Sequence, residues 1–216
     1  WDYNTDLTKQ IETVLSHELL HVYDDIQQYN KSTYTKSLYN VRNNVKLYFN
    51  SLNNPFSKYP ALVEFMHLFY LALPIEINAR VHQLYTEIST MTDKSYMEIM
   101  EILKNYSVFT DLNTLQQNKI LDHIQEVPLN IQQQFIDLFI TKLQSTWSGN
   151  INCPTTPNEF FNFWAIQFAN NAEQYRNKLE KLVQNFKGIQ ECDLTTKERA
   201  RMFFILNEVS LNSFVE

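Results

Sequence analysis

The chain has 216 residues, of which 44% are apolar and 19% charged. That balance excludes an intrinsically disordered chain and is long enough to bury a sizeable core. The net charge of −6, with no run of Lys and Arg, excludes a nucleic-acid partner.

Only 2 Gly occur, so few positions suit positive-φ hairpin turns or phosphate-cradling loops. An all-α fold is the expectation. The 2 Cys, Cys153 and Cys192, lie far apart and in no CxxC pair, which argues against a Cys-based metal site or a disulfide framework. The longest apolar run, "FMHLFYLAL" (65–73), is well short of the ~20 residues a bilayer crossing needs, so no membrane partner is expected. The opening "WDYNTD" shows no secretory leader and does not look like a natural translation start, so a fragment, a processed product or the visible part of something larger is expected, and the compartment stays open.

Helical periodicity recurs along the chain. The first helix is predicted over Thr8–Gln28, capped by Thr5 or Asp6, with Ile11, Val14, Leu15, Leu19 and Val22 on one apolar face. A second spans 35–52, with Leu38, Val41, Val45 and Tyr48 at spacings of three and four. "NNPFSKYP" (53–60) reads as a loop, and Pro60 suits the first turn of a helix over 61–73. Pro74 ends or kinks that helix, and another starts at once over 75–91. A capping signature opens a segment at 92–106. Further helices fit 111–125, 130–147, 158–186 and 195–212. "SGNINCPTTP" (148–157) is the best internal boundary, which gives a domain over 1–147 and a helical region over 158–216 packed on it. In the latter, Phe160, Phe161, Phe163, Trp164, Ile166 and Phe168 are dense in apolar area. Core packing is the favoured role, and a protein partner is the other.

The chemistry concentrates in "SHELLHVYDD". His17 and His21 are four apart, so both imidazoles leave one helix face a turn apart and can reach a single ion. Glu18 lies about 100° round, unsuited to the same ion but able to reach a water bound to it. A zinc ion lowers the pKa of such a water toward ~7, and a carboxylate can take its proton. Asp24, three after His21, is placed to orient a ligating imidazole. For a third ligand the candidates are Glu64, His67, Glu76, His82 and His123. Glu76 is preferred, because Pro74 places it in the first turn of a new helix. Arg80, one turn on, is placed to hold or neutralise its carboxylate.

"SHELLHVYDD" followed by "LPIEINAR" resembles the zincin metallopeptidases, in their gluzincin arrangement of an HExxH helix and a later glutamate helix. The resemblance covers about the first 90 residues and includes a Pro shortly before the Glu and an Ala three after it, here Pro74 and Ala79. It implies Zn2+ held by His17, His21 and Glu76, with Glu18 as general base and a protein or peptide as substrate. Zincins carry a β-sheet before the HExxH helix. Only 16 residues precede His17 here, so that sheet is expected either to lie in a missing N-terminal part or to be reduced in a mostly helical version. The competing expectation is a structural or interaction protein, such as a phage-particle component, that keeps the helix pair with little or no activity.

Overall fold

A computed structural model describes residues 7–8, 11, 14–22, 54–89, 91, 94–103, 105–146, 152–191, 195 and 198. Every regular element among them is helical, and no strand occurs, so the all-α expectation holds for the described residues. In chain order these are α1 (14–22), α2 (Pro60–Leu71), α3 (Pro74–Ser89), α4 (Tyr96–Leu103) and α5 (Ser107–Gln116). Then come the short α6 (Ile120–His123) with a 3-10 turn (Ile124–Glu126), α7 (Leu129–Thr146) and α8 (Pro157–Glu191). The helix expected over 35–52, and all but two residues of that over 195–212, lie outside the described residues. No single described helix is long and apolar enough to cross a membrane.

The helix starts follow from local chemistry. At α4, Ser95 donates from its backbone N–H (2.9 Å) and its hydroxyl (2.6 Å) to Glu98 Oε2, and the Glu98 N–H donates back to Ser95 Oγ at 3.4 Å. This is a reciprocal capping box. Its hydrogen bonds hold the Glu98 carboxyl below the usual carboxylate range. Thr195 and Glu198 repeat the arrangement. At α8, the Thr156 hydroxyl donates to Glu159 Oε2 at 2.6 Å and Pro157 occupies the first helical position.

Pro74 acts as expected. The helix before it stops at Leu71, where the Ala72 N–H still reaches Leu68 O at 2.9 Å. The next begins at Pro74 itself, whose missing N–H would have no intrahelical partner there. The segment expected as one helix over 111–125 is divided instead. Helix α5 ends at Gln116, and α6 restarts at Ile120. Asn118 stabilises the break by donating from Nδ2 to Leu115 O at 2.8 Å, a local alternative to helical bonding that Asn favours.

Residue contacts group the chain into two compact units, each assembled from separated segments. One comprises Gln27–Leu73 and Asn113–Glu173. Its core is aromatic: the fully buried Phe65 lies 5.4–5.6 Å, ring centre to ring centre, from Phe135, Phe139, Phe160, Phe161 and Phe168. These distances fall in the range where edge-to-face and offset pairs add to apolar burial. The dense apolar segment at the start of α8 is therefore core, with Ile166 as its exposed apolar side chain. Gln132 Nε2 donates to Ile124 O at 3.0 Å and Val127 O at 2.8 Å, satisfying carbonyls at the end of the 3-10 turn. Truncating the central ring is costly in such a core. Phe65→Ala is expected to lower unfolding free energy by ~3–5 kcal/mol, read as a shift in the urea midpoint.

The other unit comprises Trp1–Ile26, Pro74–Leu112 and Gln174–Glu216, and it holds the HELLH segment. Helix α3 is its buried centre: Ile75, Ile77, Ala79, Val81, Leu84 and Ile88 are all at most 5% exposed. Apolar side chains on nearly every face mark a helix enclosed by its unit. A carboxylate inside such a helix calls for an explanation.

Candidate metal centre

That carboxylate is Glu76, with no exposed surface. It sits in the first turn of α3, where the helix dipole and free N–H groups favour a negative charge. Facing it are His17 and His21 of α1. Their Nε2 atoms lie 3.1 Å apart, with the two rings nearly perpendicular. Glu76 Oε1 is 3.5 Å from His21 Nε2, and Oε2 is 3.8 Å from His17 Nε2. All three donor atoms fall within 4.8 Å of one another, and among the described residues these three side chains form the group able to hold a metal ion.

Burial grades across the group. The His21 side chain is 4% exposed and that of His17 13%, so His17 marks the side nearest solvent. Both Nδ1 atoms are buried with no hydrogen-bond partner among the described residues. One Nε2–H can serve at most one imidazole pair. The carboxylate distances exceed those of good hydrogen bonds. Two imidazoles and a carboxylate brought together in this way form a donor set able to hold a cation.

The electrostatics disfavour protonation of His17. Burial pushes its pKa below the ordinary 6.5, and a like charge on His21 pushes the same way. Glu76 opposes the shift, Arg80 adds to it and Glu18 opposes it. Neutral imidazole is the form that binds metal. A lowered folded-state pKa means that the unfolded chain takes up the proton first. The contribution of His17 to stability is therefore present above pH ~6.5 and lost as pH falls through the lowered value. His123 has the opposite sense, because its Nδ1 lies 2.6 Å from Glu64 Oε2 and this contact raises its pKa. The His17 term is isolated by comparing wild type with His17→Asn, in which His123 is unchanged. Metal-free wild type is expected to lose more urea stability between pH 7.5 and 5.5 than the variant does.

Glu18 is exposed, one residue along the helix from His17. Arg80 lies one turn after Glu76, and its Nη1 is 2.5 Å from Asp111 Oδ2 on α5. The sequence points Arg80 at Glu76, whereas the ion pair it makes is with Asp111. Its charge nevertheless reaches His17. Asp111 carries no sequence signal, because it falls in an ordinary helical pattern far along the chain from Arg80. Asp24 lies outside the described residues. Of the other candidate ligands, Glu64, His67 and His123 belong to the aromatic unit, and Glu64 and His123 pair with each other. His82 is half-buried on α3.

Comparison of the chain with known protein families, with curated proteins and with solved structures finds no match.

Proposed function

We propose that the protein is a zinc-dependent peptidase built on a zincin-like pair of helices, with His17, His21 and Glu76 as the zinc ligands. The observation that carries this reading is the convergence of the three side chains, from helices more than 50 residues apart, on one buried point. Ligands ~2.0–2.1 Å from a tetrahedral ion stand ~3.3 Å apart. The two Nε2 atoms stand 3.1 Å apart, close to that edge length, and Glu76 turns a different oxygen to each imidazole, at 3.5 and 3.8 Å. Three is also the number of protein ligands that catalytic zinc sites use.

Zinc held by these residues would supply Lewis-acid polarisation of a carbonyl and acidification of a water. The protein's own residues do the rest. His17 and His21 would hold the cation through Nε2, with burial disfavouring protonation of His17, and the Glu76 carboxylate would offset the cation's charge in a buried setting. Glu18 does not join the ligand group. Its exposed carboxylate accepts the proton of the attacking water and delivers it to the amine nitrogen as the peptide C–N bond breaks. Arg80, tied to Asp111, places a fixed positive charge near His17 and disfavours its protonation.

The test is cleavage of unfolded casein by purified protein. Cleavage should stop with a zinc chelator and return when one equivalent of zinc is restored. Cleavage indifferent to the chelator would defeat the proposal. A second reading, an interaction or structural protein that keeps the helix pair without activity, is favoured by the apolar side chains exposed on α1. Zinc binding with no cleavage of any polypeptide would select it.

A further inference from the structure

A pocket of about 480 Å³ opens in the aromatic unit, which supplies all of its lining residues. Its volume falls within the ~300–1,000 Å³ of small-molecule sites. Ile124, Val127 and Phe161 give it an apolar wall held by the core, each being at most 6% exposed. No charged side chain lines it. Leu129 and Asn158, also in the wall, belong to the first turns of α7 and α8. Their N–H groups have no intrahelical acceptor at those positions, so the wall carries hydrogen-bond donors.

Gln132 supplies an acceptor. It lines the pocket and is 6% exposed. Its Nε2 is committed to Ile124 O at 3.0 Å and Val127 O at 2.8 Å. Two carbonyl partners require the NH2 end of the amide there, which settles where its oxygen lies. That Oε1 accepts no hydrogen bond among the described residues and is not sealed from solvent. The pocket is the space it opens into. A polar atom fixed in a mostly apolar wall is the kind of group that orients a ligand. A ligand with no donor to offer would strip this oxygen of water without replacing the bond.

We infer that this pocket binds an uncharged small molecule whose apolar body carries an amide group, with the amide N–H donating to Gln132 Oε1. The pocket is independent of the metal centre and of the peptidase reading. A charged ligand would lose its hydration here with no charged side chain to offset the loss. The positive end of α8 is already met by the Glu159 carboxylate, which accepts from the Thr156 hydroxyl at 2.6 Å. An amide suits both parts of the wall. Its N–H answers the fixed acceptor, and its carbonyl can accept from an N–H at a helix start.

The test titrates the full chain with N-benzylbenzamide and follows ¹⁵N–¹H correlation spectra. EDTA in the buffer keeps metal out of the result. Two probes of similar size serve for comparison. Benzyl benzoate replaces the N–H by an oxygen, and 4-benzylbenzoate carries a full negative charge. The amide should bind at least tenfold more tightly than either and shift the side-chain amide signals of Gln132. Gln132→Leu would also strip the 3-10 turn of two hydrogen bonds, so the pocket is blocked from its rim instead. Leu129 is 72% exposed, and Leu129→Trp therefore spares the core. It should weaken amide binding at least tenfold and leave the urea midpoint unchanged. No saturable shift with the amide, equal affinity for the ester, or tighter binding of the carboxylate would overturn the inference. So would an amide affinity untouched by Leu129→Trp.

Discussion

Glu18→Gln is expected to lower kcat for peptide cleavage by ~10²–10⁴-fold while leaving zinc content and thermal stability unchanged. The magnitude is that of a general base removed from a reaction whose other components stay in place. The exposed position of Glu18 makes the substitution harmless to packing, since the amide occupies the same volume and no core contact is lost. His17 and His21 turn instead to Glu76 and keep their geometry. Steady-state kinetics on a quenched peptide, with metal analysis of the same sample, checks both halves. A variant that still cleaves at the wild-type rate would remove Glu18 from the mechanism.

Glu76→Gln is expected to weaken zinc binding by at least ~100-fold, because loss of a mere outer-shell partner already costs ~10–100-fold. Its effect on the metal-free protein should be in the other direction. A fully buried carboxylate is costly to desolvate, and a neutral amide of equal volume relieves that cost. The metal-free variant should therefore be no less stable than wild type. Wild type should gain ~2.7 kcal/mol when free zinc is 100 times the Kd, and the variant should gain little at that concentration. Calorimetric titration with zinc and paired urea melts provide the measurement. An unchanged zinc affinity would exclude Glu76 as a ligand, and a collapse of the metal-free variant would show that Glu76 serves the fold itself.

The sequence carried much of the local structure for identifiable reasons. Ser95 with Glu98, Thr156 with Pro157, and Pro60 and Pro74 each fix a helix start through hydrogen bonds or a locked φ, and such signals act within a few residues. The four-residue spacing of His17 and His21 is likewise local. Glu76 was legible because Pro74 set its helix register, and the structure brings it to the histidines. The Arg80–Asp111 pair was not legible, since the tertiary packing of α3 and α5 decides it and neither residue sits in a motif. The orientation of α1 was not legible either. Periodicity reveals that a helix has an apolar side, but not that a buried carboxylate on a distant helix will draw the histidine flank inward and leave Val14, Leu15 and Val22 in water. The assembly of each unit from separated segments is also invisible to linear reading, because composition shifts mark loops and do not say which helices share a core.

Metal content tests the central claim most directly. The protein is purified without a histidine tag or chelator, dialysed against zinc and then against metal-free buffer, and measured by inductively coupled plasma mass spectrometry. About one zinc per chain is expected, with less than about a tenth retained by His21→Ala, since one ion needs all three protein ligands. Wild-type protein that retains no zinc, or a His21→Ala protein that retains as much as wild type, would contradict a metal centre at His17, His21 and Glu76.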